Sequence, residues 1–168
     1  MRADDLLACE AIGEAVHAAH PEDEGRMAEK FRLFPAGCLV LREAAGILGY
    51  AISHPWRSGE ALALNAALGR LPDAADTLYL HDLALLPEAR GKGAGLDLAE
   101  RVAALAATLG YATVSIVAVG GTLRFWERAG FRVVEVPALV RVLQTYDAAA
   151  AYMQRAVAPD RRRLVGRA

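Results

Sequence analysis

The segment Arg90-Gly91-Lys92-Gly93-Ala94-Gly95 carries the clearest chemical signal in the chain. Its three glycines alternate with other residues, so the backbone can take positive φ and approach a ligand closely. It joins a β-patterned run, 78–86, to a helical run that starts near residue 94. Free amides at a helix start lie at the positive end of the helix dipole and form an anion site. Arg90 and Lys92 add charge suited to phosphate. The string is not GxxxxGK followed by Ser or Thr, which disfavours a Walker NTPase. Leu96 occupies the third glycine place of GxGxxG, which weakens a Rossmann dinucleotide site. A plain strand-to-helix turn is the other reading of such a loop.

Proton-transfer candidates stand just upstream. His81 lies within the strand run Leu78–Leu86, and an imidazole titrates near neutrality. It is the candidate general base, with a partly buried structural histidine as the competing reading. Asp82 is adjacent and points to the opposite face of a regular strand, a relation that a bulge would change. His54 ends a neighbouring strand run and reads as a histidine in solvent, or as one facing an acceptor pocket beside His81. Trp56 and Tyr79 read as core, or as aromatics of that pocket. Glu22, Asp23 and Glu24 open a short helix, as acceptor-attracting charges or as a solvated helix N-terminus. The four histidines and two cysteines make no metal-ligand spacing, and no GxSxG occurs.

These residues need elements to position them. Apolar spacing predicts helices over 4–19 and 23–33, ended by Pro21 and Pro35. Residues 38–42 and 47–53 read as a hairpin around Glu43–Gly46. The stretch 54–76, with two prolines and two glycines, reads as a long loop, as a lid or as a surface excursion. A helix over 94–109 presents Leu98, Val102, Leu105 and Leu109 on one face and ends at Gly110. The run 112–119 is apolar and β-branched, as in a buried parallel strand. A short helix over 122–129, strands around 131–136 and 139–143, and a helix from Asp147 to Val157 complete the reading. The alternation predicts a mixed α/β sheet with helices on both faces and a parallel 78–86/112–119 pair joined by a right-handed crossover.

The run HDLALLPEARGKGAG, with the helix, strand 112–119 and LRFWERAGF that follow, resembles the GNAT acetyltransferase superfamily. The order of elements is similar over nearly the whole chain, and the specific motifs span 80–131. Arg90, Gly93 and Gly95 match the family's pyrophosphate loop. The resemblance implies acetyl-CoA as cosubstrate. Backbone groups of Leu83, Ala84 and Leu85 would hold the pantetheine arm, and amides of Gly91, Lys92, Gly93, Ala94, Gly95 and Leu96 the phosphates. Trp126 stands where members often carry a tyrosine that protonates the leaving thiolate. An indole N–H donates a hydrogen bond but is not a practical acid. Gly120 or Gly121 replaces an asparagine that often precedes that helix, and no strand pattern precedes the first helix.

The expected activity is N-acetylation of a primary amine, on a small molecule or peptide, by direct attack in a ternary complex. A non-catalytic acyl-CoA-binding module is the alternative. With 168 residues, 55% hydrophobic, the chain reads as one GNAT-like domain, 1–158, followed by a basic tail, 159–168. A net charge of -1 gives no global case for nucleic acid or membrane binding. Two distant cysteines read as reduced thiols, and no signal or membrane-spanning pattern occurs, so the expected setting is cytoplasmic. No metal is expected, and the alanine-rich end of the domain is a possible homodimer surface.

Overall fold

The computed structural model describes residues 1–44 and 46–158, so the basic tail lies outside the described residues. Its centre is a mixed sheet of β1 (Cys38–Glu43), β2 (Gly46–Trp56), β3 (Thr77–Leu85), β4 (Thr113–Ala118), β5 (Arg132–Val133) and β6 (Ala151–Ala156). The spatial order is β1-β2-β3-β4-β6-β5. Among the described residues, β3 and β4 are the one parallel pair; the other pairs are antiparallel. Helices α1 (Leu6–Val16) and α2 (Arg26–Leu33) pack on one face, where Cys9, Ile12 and Met27 meet Tyr50, Ile52 and Ala84. Helix α3 (Ala94–Leu109) covers the other face, burying Leu98, Val102 and Ala106 against Leu78, Leu80 and Val114. Their spacing of four residues puts those α3 side chains on one stripe. A short helix, α4 (Leu123–Arg128), adds Trp126 to the same core.

Two features open the sheet where a ligand would enter. The β3–β4 ladder ends at Tyr79 opposite Ser115, although β3 runs on to Leu85 and β4 to Ala118. The strands therefore splay beyond that pair. Helix α3 is flanked by two left-handed caps, Gly93, with φ 85°, and Gly110, with φ 87°. At that end Tyr111 N–H donates to Ala106 O and Gly110 N–H to Ala107 O, which satisfies the last carbonyls.

The structure corrects the sequence reading in three places. The expected helix 147–157 is strand β6, paired along β4 from Thr113–Ala156 to Ala118–Ala151. Asp147 accepts from the amides of Ala149 and Gly120, and this turn replaces the start of a helix. Tyr152 and Met153 are then buried on opposite faces, and pairing overrides the helix preference of alanine. The suggested dimer helix therefore does not exist. The expected strand 139–143 is a 3₁₀ turn at Pro137–Leu139 and one helical turn, α5 (Val140–Leu143). Pro137 presets the helical φ, and Leu139 packs with Tyr79 and Tyr152. Finally, β2 runs through Pro55 to Trp56. Pairing with β1 stops at Ile52, so Pro55 breaks no ladder bond on that side.

Candidate functional site

The splayed strands, the glycine loop and α4 enclose a groove of about 700 Å³. Its walls include Leu83 and Leu85 of β3, Arg90, Gly91, Gly93, Ala94, Gly95 and Leu96 of the loop, and Trp126. Gly91 and Gly93 take φ of 74° and 85°, and an added Cβ at either would meet open space. Their amides are free to face the groove at the N-terminus of α3. Gly95 serves packing instead, since a Cβ there would lie 3.0 Å from Phe125 Cζ. Arg90 Nε donates to Leu85 O at 3.0 Å, which ties the loop to the end of β3. Ala84 is fully buried toward α1 and α2, so only its backbone belongs to this region. Lys92 is exposed and does not form part of the groove wall. The cradle, its dipole and the splayed strand edge suit an extended acyl-CoA.

The groove meets a smaller pocket of about 100 Å³, where the candidate base stands. In the β2–β3 register Ile52 faces Asp82 and Ser53 faces Leu80, leaving His81 as the extra residue of a bulge. The bulge sends both His81 and Asp82 toward α1 and α2, so Asp82 does not point to the opposite face. The His81 side chain is 6% exposed, and its Nε2 lies 3.1 Å from Glu22 Oε1. Glu22 also accepts from Lys30 Nζ, at 2.8 and 3.0 Å, although Lys30 is only 1% exposed. Burial would raise Glu22, but His81 and Lys30 outweigh it and hold the carboxyl well below its usual range. An ionised carboxylate only accepts, so Nε2 of His81 carries its proton and Nδ1 has the lone pair. Among the described residues no protein group bonds that buried Nδ1. Burial and the Lys30 charge place the His81 pKa below the ordinary imidazole value, against the pull of Glu22 and Asp82.

Asp82 organises a second cluster. Tyr50 OH donates to Asp82 Oδ2, and His17 Nε2 lies 2.8 Å from Asp82 Oδ1. Burial alone would raise Asp82, but His17, Tyr50 and His81 lower it. Gly13 makes this possible, because a Cβ there would stand 2.7 Å from Tyr50 Oη. His20 Nε2 lies 3.2 Å from Asp147 Oδ2. His17 and His20 both line the groove, the small pocket and a third cavity of about 560 Å³ on the α1–α2 side. That cavity is bordered by Glu10, Glu14, Glu22, Asp23, Glu24 and Asp82, with no lysine or arginine among its described lining.

Other candidates fall elsewhere. His54 is fully buried rather than solvent-exposed, with its ring 5.6 Å from that of His81 and 5.3 Å from Trp56. Burial, with the nearby His81, lowers its pKa to about 3. Tyr79 is a core residue, and Trp56 packs, partly buried, against the same cluster. The 54–76 stretch is fastened to α2 and the turn before it: Asn65 Oδ1 accepts from Asp23 N, and Glu29 from the amides of Leu68 and Gly69. It brings Leu64 to the small pocket. Sequence reasoning missed His17, Lys30 and Tyr50; a glycine inside a helix, Gly13, was the one local sign of a close approach.

Comparison with known proteins agrees with this geometry. Residues 5–131 match the model of the Acetyltransferase (GNAT) family. GphF GNAT-like decarboxylase, solved with isobutyryl-CoA, superposes with a TM-score of 0.75 at 19% identity, over 93% of this chain and 96% of that one. Naa20 of Chaetomium thermophilum, in complex with a bisubstrate analogue, gives 0.69 at 19% identity over 94% and 84%. Rv2747 of Mycobacterium tuberculosis, in complex with CoA and NLQ, gives 0.69 at 14% identity over 94% and 96%. No curated protein sequence matches. The chain belongs to the GNAT family of acyl-CoA-dependent acyltransferases.

Proposed function

We propose that this chain transfers an acetyl group from acetyl-CoA to a primary amine by direct attack, with both substrates bound at once. The observation that carries the reading is the buried Nδ1 of His81. It is an unpartnered acceptor on a side chain that lines the pocket adjoining both the groove and the acidic cavity. An alkylamine is mostly protonated near neutrality, so a group that takes its proton is required. Glu22 fixes the tautomer, and Lys30 keeps Glu22 ionised. Amides from Gly91 to Leu96 hold the phosphates, with Arg90 adding charge. Backbone groups of Leu83, Ala84 and Leu85 hold the arm, and a strand amide there polarises the carbonyl. Trp126 closes the groove as an apolar wall. The acidic cavity suits a cationic acceptor, a small amine or the amine of a peptide.

Acetyl-CoA should raise the melting temperature, since a ligand of the folded state stabilises it. Release of free CoA should follow across a panel of amines. No thermal shift with acetyl-CoA or CoA would refute the donor assignment. A shift without thiol release on every amine would instead support an acyl-CoA-binding module.

A further inference from the structure

Release of the thiol has no evident proton donor in the tyrosine's place, because Trp126 stands there. We infer that His17 is the acid that protonates the leaving thiolate, with Asp82 as the carboxylate that orients it. The inference rests on the acetyltransferase reading above. His17 lines the thioester groove, the pocket of His81 and the acceptor cavity, so it borders every route to the reacting carbonyl. Its Nε2 faces Asp82 Oδ1 at 2.8 Å, and the other oxygen of Asp82 is taken by Tyr50 OH. The contact is a charge pairing by distance, with no aligned hydrogen bond at that buried Nε2, and a protonated imidazole beside Asp82 has an Nδ1–H that can be given away.

The other proton-bearing side chains of the groove fit the task less well. Arg90 and Arg128 do not release protons at neutral pH. Thr122 donates its hydroxyl to Val119 O. His20 borders the same cavities but is held toward Asp147, away from β3.

Electrostatics point the same way. Burial lowers the His17 pKa, but Asp82 and Glu22 outweigh burial and the opposing Arg90 charge, leaving it above the ordinary imidazole value. His81 is displaced below it. His20, His81, Tyr50, Tyr146 and the acidic residues Glu10, Glu14, Asp23 and Glu24 also border the cavities that His17 lines. Two imidazoles on one pocket, pushed to opposite sides, divide into an acid and a base.

The step balances. The ammonium first loses one proton to bulk water; the neutral nitrogen then forms a bond to the thioester carbon, and His81 Nδ1 takes its second proton. The carbon–sulfur bond breaks with its electron pair on sulfur, which takes the proton of His17 Nδ1. Amide and thiol leave; His81 gives its proton to water and His17 regains one.

The test compares two acetyl donors in His17→Gln: acetyl-CoA, and an acetyl aryl thioester whose less basic thiolate leaves unprotonated. Turnover with acetyl-CoA should fall about 100-fold, as for loss of a general acid. Turnover with the aryl thioester should stay near wild type, and the alkaline limb of the pH–rate profile should disappear. The acetyl-CoA-induced thermal shift should persist, which reports an intact fold and groove. Equal losses with both donors, or no loss, would overturn the assignment. So would a donor-dependent loss in His20→Gln instead of His17→Gln. A wild-type enzyme that releases thiol from neither donor would sink the acetyltransferase reading itself, and this inference with it.

Discussion

His81 and Asp82 are consecutive residues of β3, yet both side chains leave the sheet on the α1–α2 face, because the bulge opposite Ile52 and Ser53 cancels the alternation of the strand. Each then recruits a different partner set: Glu22 and Lys30 for His81, Tyr50 and His17 for Asp82. These partners displace the pKa of His81 downward and that of His17 upward. A regular strand would have turned one of the two toward α3.

Replacing His81 by alanine should reduce kcat by about 100- to 10,000-fold, the usual contribution of a general base. Acetyl-CoA affinity should hardly change, because the loop amides lie apart from the imidazole. Higher pH supplies more neutral amine and should restore part of the rate. Steady-state kinetics with calorimetric binding measure both quantities. A wild-type rate across neutral pH would remove His81 from the mechanism.

The Glu22–Lys30 pair supports His81 and should be costly to break from one side. Lys30 is 1% exposed, so Glu22→Gln leaves a buried ammonium without its carboxylate. Such losses reach ~3–5 kcal/mol for enclosed pairs; with Glu22 27% exposed, about 2 kcal/mol is expected. Glu22→Gln combined with Lys30→Met should recover much of the stability but not the rate, because the tautomer of His81 is no longer fixed. Urea unfolding of the two single variants and the double variant tests this. Additive losses of stability would show that the pair is not coupled.

The legible part of the site was the part contiguous in the chain. The glycine loop, the α3 cap and the strand before them are local, so residue order alone places them. The His17–Asp82–Tyr50 cluster joins three elements through sheet register and one bulge, and no spacing encodes that. Strand β6 was hidden for a related reason. Its alanines prefer a helix, but the open edge of β4 and the turn at Asp147 decide the outcome. His54 looked exposed because Pro55 seemed to end the strand; β2 continues and buries it.

That burial has a pH signature. His54 has a folded pKa of about 3 against an ordinary 6.5. Between those values the unfolded chain binds a proton that the folded chain does not, so stability falls as pH drops, by about 1.4 kcal/mol per unit. The depressed His81 acts in the same direction. Asp82 and Glu22, also depressed, add to the loss only nearer their ordinary carboxylate values. His17, raised, gives stability that is lost as pH climbs through its folded pKa. Urea unfolding from pH 6 to 5 should therefore show a slope that shrinks by about 1.4 kcal/mol per unit in His54→Leu. An unchanged slope would mean that His54 titrates normally.

The last prediction concerns the acceptor. Glu10, Glu14 and Glu24 border the acidic cavity, and no salt bridge to them occurs among the described residues. Their charges lie beyond the His81 pocket, so they act on a distant part of the acceptor and not on the amine that reacts. An acceptor with a second ammonium would feel them in the ground state and the transition state alike. Such uniform binding alters KM and leaves kcat unchanged. Changing all three to glutamine should thus raise KM for an aliphatic diamine about tenfold at low salt, and much less for the matching monoamine. Salt should erase the difference, because screening shortens from about 30 Å at 0.01 M to about 10 Å at 0.1 M. The variant should fold at least as well as wild type, since Glu10 and Glu14 are like charges one turn apart on α1. Equal changes in KM for diamine and monoamine, or a fall in kcat alone, would show that the cavity does not read the second charge.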